Sequence, residues 1–77
     1  MRMQRDELKE MHPVSRLLYE QIATAGRLRT GELIDLAGHS RPRVLQYLYW
    51  LEARGLVRRV GAGPTDPRAY WTVEEDG

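Results

Sequence analysis

The chain has 77 residues, enough for one small domain, and its 42% apolar and 30% charged side chains suit a soluble globule rather than a disordered segment. It contains no cysteine, which excludes disulfide staples and thiolate metal sites and makes the cytoplasm the expected compartment. No apolar run approaches the ~20 residues that span a bilayer, and six charged side chains between Met1 and Glu10 leave no room for the apolar run of a signal peptide.

A chain this short keeps little stability once conformational entropy is subtracted, so either its packing is very regular or a second copy extends the core. Residues 1–11 read as a charged arm or short helix, with Leu8 and Met11 three apart. Pro13 disfavours helical geometry at His12 and suits the first position of a new helix. Val14, Leu17, Leu18, Ile22 and Ala25 then recur at helical spacing, and Gly26 stands where a left-handed stop belongs. The spacing predicts a first core helix over Pro13 to Ala25. After the short connection Arg27-Leu28-Arg29, Thr30 is a good N-cap, with Glu32 in the following turn. Leu33, Ile34 and Ala37 form the apolar face of a second, two-turn helix ended by Gly38.

Only His39 separates that glycine from Ser40, another N-cap candidate, so the second and third helices must cross steeply, as in a helix-turn-helix. Pro42 is tolerated in a first turn, where its missing N–H has no intrahelical partner. The third helix runs from about Arg41 to Arg54 with the inward stripe Val44, Tyr47, Leu48 and Leu51, and Gly55 ends it. Leu56 to Val60 and Ala69 to Val73 read as two strands of a hairpin whose long tip carries Pro64 and Pro67. Residues 74–77 are an acidic tail. The predicted fold is α+β and mostly α: a three-helix core plus a two-stranded β-hairpin over residues 12–73.

The net charge is only +1, but it is sorted along the chain. Between His39 and Arg68, six arginines face two acids, a local charge of +4, while the remaining residues sum to −3. Eleven of the twelve cations are Arg, which meets phosphate or guanine in bidentate fashion where Lys is a point charge. A GC-rich or salt-adapted genome explains the arginine bias equally well, but not its clustering. Arg41 and Arg43 put two cations at the positive end of a helix dipole, where acids are favoured by about 0.3–1 kcal/mol each. No acid stands within three residues of either. Conflicts of this kind mark functional sites, and a polyanion resolves this one; the alternative is a salt bridge to Asp35 or a more distant carboxylate.

The outward face of the third helix reads Pro42, Gln46, Tyr49 and Ala53. Gln46 either pairs with adenine in a major groove or is simply a good helix former. Tyr49 is placed to reach a phosphate or stack on a sugar. Leu45 and Trp50, on the flanks, are expected to pack on a neighbouring element or a partner chain. In the hairpin, Arg58 and Arg59 must point to opposite faces, so at least one is expected to be solvated or paired with the acidic tail. Arg68, at the end of the tip, is expected at a phosphate or in a minor groove.

The stretch Arg29-Thr30-Gly31-Glu32-Leu33, then Gly38-His39-Ser40-Arg41-Pro42-Arg43-Val44, then Leu48 and Leu51-Glu52-Ala53-Arg54-Gly55-Leu56-Val57-Arg58-Arg59 resembles the small MarR/ArsR-type winged helix-turn-helix regulators of bacteria and archaea. The resemblance covers about Pro13 to Val73. It implies a sequence-specific, double-stranded DNA-binding transcription regulator, a repressor acting as a homodimer, with the third helix in the major groove and the hairpin wing on the backbone or minor groove. The family's contacts at the start of that helix correspond to Ser40, Arg41, Pro42, Arg43, Gln46 and Tyr47. With Thr30, His39, Tyr49, Arg58, Arg59 and Arg68 they make up the candidate DNA-binding set. Pro42 stands where relatives often carry a polar residue, which removes one possible base contact. No long carboxy-terminal helix is expected, so dimerisation falls to residues 1–11, the first helix or the Leu45/Trp50 flank, giving Leu8, Met11, Leu45 and Trp50 as candidate contacts.

No metal, cofactor or small-molecule effector is expected, since the cysteines or clustered His and Asp of metal sensors are absent. Catalysis finds no foothold either: His12 and His39 are isolated, Ser15 and Ser40 stand in ordinary helix-start contexts, and no Gly-rich phosphate loop appears. The competing expectation is a winged helix used for protein–protein contact in a transcription or replication assembly, through Leu45, Tyr49 and Trp50.

Overall fold

The computed structural model describes residues 11–61 and 68–73. Three helices, α1 (Pro13–Ala25), α2 (Thr30–Ala37) and α3 (Arg41–Ala53), precede two strands, β1 (Val57–Val60) and β2 (Tyr70–Val73). Helix α1 starts on His12, whose Nδ1 accepts the Val14 amide at 3.1 Å, with Pro13 in the first turn. Its buried face is Val14, Ser15, Leu18 and Ile22, while Leu17 is half-buried and Ala25 exposed. The buried stripe is thus turned toward Ser15 relative to the predicted one. Met11, expected in a dimer contact, is instead buried in this chain's own core, because α1 starts right behind it and folds it under.

Thr30 is the first residue of α2, and Arg29 is its N-cap. The Arg29 amide donates to Glu32 Oε1 at 2.8 Å, so the glutamate in the first turn caps the helix in place of a hydroxyl. Gly38 closes α2 in the left-handed region, at φ 68° and ψ 25°, which makes the sharp turn into α3 possible. Val44, Leu48 and Leu51 of α3 are fully buried against α1 and α2. Beyond α3 the Leu56 amide donates to the Leu51 carbonyl at 3.0 Å and folds the chain back into β1.

The strands pair antiparallel, with Val57 opposite Val73 and Val60 opposite Tyr70. Leu28 joins them through an isolated bridge to Trp71: its amide donates to the Trp71 carbonyl at 3.0 Å, and the Trp71 amide donates back at 2.7 Å. The segment before α2 therefore lies along β2 on the side away from β1. One paired residue offers no alternation to read, so the sequence pattern shows only a connection there. At the hairpin neck Gly61 has φ 123°, and a Cβ on it would stand 2.8 Å from the Ala69 Cα, so the close approach requires glycine. The rest of the tip, residues 62–67, the predicted arm 1–11 up to residue 10, and the tail 74–77 lie outside the described residues. Among the described residues no helix is long and apolar enough to cross a membrane.

Trp71 is 1% exposed and joins every layer of this arrangement. Its indole N–H donates to Thr30 Oγ1 at 2.9 Å, in a fully buried hydrogen bond that ties β2 to the start of α2. The Tyr49 ring of α3 meets it edge-on at 6.3 Å. Burying an indole without a partner for its N–H is costly, so the Thr30 hydroxyl is drawn inward to meet it. Replacing Thr30 by Val should cost about 1–3 kcal/mol of unfolding free energy, and Trp71→Phe at least as much. The double variant should lose less than the sum of the two, with a coupling of about 0.5–3 kcal/mol in denaturant titrations. Strict additivity would contradict the bond.

Candidate nucleic-acid interface

The turn that ends at Gly38 delivers Ser40 in an extended conformation, at φ −66° and ψ 156°, as the N-cap of α3. Its hydroxyl makes no capping bond, and the first turn holds Pro42 but no acidic residue. The positive end of α3 is therefore left electrostatically unanswered by its own turn. Arg41, Pro42 and Arg43 are all exposed there. Neither guanidinium has an ion pair or ring contact among the described residues, and Asp35, also exposed, pairs with neither.

Further along α3 the predicted outward face is exposed at Gln46, Tyr49 and Ala53. Tyr49 keeps one edge on Trp71 and is 41% exposed. Trp50 is 38% exposed and carries the Arg54 guanidinium over its ring at 4.7 Å. Leu45 is half-buried and packs on the core of its own chain, which settles it against a neighbouring element. His39 is half-buried in the turn. Leu8, the remaining candidate dimer contact, lies outside the described residues.

Among the candidate DNA contacts, Thr30, Tyr47 and Arg59 have named partners within the chain. Thr30 is 5% exposed, with its hydroxyl on the Trp71 indole, and so presents no hydroxyl outward. Tyr47 stacks on the His12 ring at 4.6 Å between centroids, and its hydroxyl stands 3.3 Å from His12 Nε2. It thereby braces α3 against the start of α1, on the inward stripe that spacing gave it, and away from the face that carries Gln46. Arg59 lies over the Trp71 ring at 5.9 Å and 3.9 Å from Glu52 Oε2. The strand pleat explains that last case: Arg59 pairs with Trp71 across the ladder and shares its inward face, whereas Arg58 pairs with Thr72 and is exposed on the other. Arg68 is exposed at the return of the hairpin.

Two residues near this surface escaped the reading of the sequence. Arg27 and Arg29 are exposed on either side of Leu28, and Arg27 lies over the Tyr70 ring at 5.0 Å. An apolar residue between two arginines was the available signal, but it needed the Leu28–Trp71 pairing to give it a face. Leu36, 51% exposed on α2, is likewise absent from the predicted apolar face, which periodicity put at its neighbours.

No protein family, curated sequence or solved structure matches the chain. Fold and site together define a small, mostly helical α+β chain with three helices, an antiparallel hairpin and an arginine pair at the positive pole of its third helix. That pair opposes the helix dipole, so Arg41→Glu with Arg43→Glu should stabilise the fold, by about 0.3–1 kcal/mol per site from the dipole alone. Thermal unfolding at low salt measures this. A loss of stability would mean that the guanidinium groups have native partners.

Proposed function

We propose that this chain is a winged helix-turn-helix, sequence-specific double-stranded DNA-binding transcription regulator, with α3 in the major groove and the hairpin as the wing. The observation that carries the reading is the exposed pair Arg41 and Arg43, unpaired among the described residues, at a helix start with no capping hydroxyl and no acid. Phosphate oxygens supply the missing negative charge, since backbone amides at a helix start and guanidinium forks both donate to them. From that anchor Gln46, one turn deeper on the same exposed face, is the residue to read a base edge. Arg58 and Arg68 remain candidates for the wing's phosphate contacts.

The regulator reading includes a homodimer on two half-sites, whose centres should lie about 34 Å or a multiple of it apart. Of the proposed dimer contacts Trp50 keeps substantial exposure, and Leu36 joins it as a large exposed apolar side chain. The same side chains, with Tyr49, motivate the second reading, a winged helix that docks on another protein.

Fluorescence anisotropy with short duplexes at moderate salt tests the two against each other. The DNA reading predicts saturable binding that weakens as salt rises, with Arg43→Ala weakening binding about uniformly across sequences and reducing the salt slope by about 1. Arg16→Ala, which removes an exposed partner of Glu20 on α1, should leave binding unchanged. Absence of binding to any duplex at low salt would overturn the DNA reading and favour the second.

A further inference from the structure

The entry of α1 is tied to α3 through an imidazole. His12 Nδ1 accepts the Val14 amide at 3.1 Å, and its Nε2 stands 3.3 Å from the Tyr47 hydroxyl. The two rings stack with their centroids 4.6 Å apart and their planes 23° from parallel. His12 is an exposed residue, so water reaches the side chain that makes these contacts.

The first of these bonds fixes the protonation state. A backbone amide can only donate, so Nδ1 must present its lone pair, and the neutral ring carries its proton on Nε2. Nε2–H then donates to the Tyr47 oxygen, and one tautomer serves both helices. An imidazolium has donors at both nitrogens and sets an N–H against the Val14 N–H. It also places a cation at the positive end of α1, whose first turn holds no acidic residue. The surrounding groups do not offset this. From α3 the ring meets the Tyr47 hydroxyl, with the exposed Arg43 one turn before it. On α1, Arg16 follows one turn on and is 3.9 Å from Glu20. Among the described residues no carboxylate pairs with His12. The His12 carbonyl accepts the Arg16 amide at 3.0 Å whatever the charge of the ring, so protonation strikes the cap and the stack rather than the body of the helix.

We infer that His12 is a proton-operated latch between α1 and α3. Neutral, it caps α1 and holds Tyr47; protonated, it turns its Nδ1–H to water and releases both. The latch lies in the packing of the chain and does not rest on α3 reading DNA. Its contribution to stability is complete where imidazole is neutral and is lost as pH falls through the range in which imidazole titrates.

NMR of the full chain, following the imidazole nitrogens from about pH 8 to about pH 5, tests the latch. At the upper end His12 is expected as the Nε2–H tautomer. As the ring protonates, the Val14 amide should lose its protection from hydrogen exchange, and the ring-to-ring NOEs between His12 and Tyr47 should disappear. His12→Asn keeps a side-chain acceptor at the N-cap and cannot titrate there. Over the same pH interval the wild-type melting temperature should fall about 4–8 °C further than that of this variant, the effect of losing one cap in a domain of this size. An Nδ1–H tautomer at the upper end, a Val14 amide or Tyr47 ring that ignores the protonation of His12, or equal pH dependence in the two proteins would overturn the latch.

Discussion

The buried bond between the Trp71 indole and the Thr30 hydroxyl is the constraint on which the remaining geometry depends. It joins the last strand to the start of the second helix, and the paired backbone of Trp71 and Leu28 joins the same strand to the segment just before that helix. The ring also receives Tyr49 from α3 and Arg59 from β1. One side chain therefore sets where α2 begins, how α3 lies against the sheet, and which face of the hairpin looks outward. In a chain of 77 residues such sharing is economical, because small domains bury a smaller fraction of their surface than large ones and each buried group must serve several contacts.

With that frame fixed, the electrostatics divide into satisfied and unsatisfied cations. Arg54 and Arg59 rest on aromatic rings, and Arg59 also approaches Glu52. Arg41 and Arg43 have no such neighbour among the described residues, although they occupy the end of α3 where a cation is least welcome. A folded chain that places a repulsive pair at an exposed helix start sacrifices some stability, and the proposed polyanion is what recovers it.

Local rules explain why parts of this were legible in the sequence. The bounds of α1 follow from Pro13 and Gly26, and the buried residues of α3 from spacing alone, because both depend on neighbours within a turn or two. The conflict at Arg41 and Arg43 was readable for the same reason. So was the opposite facing of Arg58 and Arg59, which needs only the pleat. Thr30 was misread because its hydroxyl answers a partner 41 residues away, which outweighs its preference for a capping role. Met11 was misread similarly, because the core claims it, whereas spacing put Tyr47 on the inward stripe where it packs on His12, and only the family correspondence placed it at DNA. Arg27 and Arg29 acquire a common face only once Leu28 pairs with Trp71.

The most direct test of the central claim is the dependence of duplex affinity on salt, compared between the wild-type chain and the Arg41→Gln, Arg43→Gln variant. If the pair neutralises two phosphates, the slope of log K against log salt should become shallower by about 2 in the variant. Identical slopes for the two proteins would show that no phosphate sits at the start of α3, and would contradict the account.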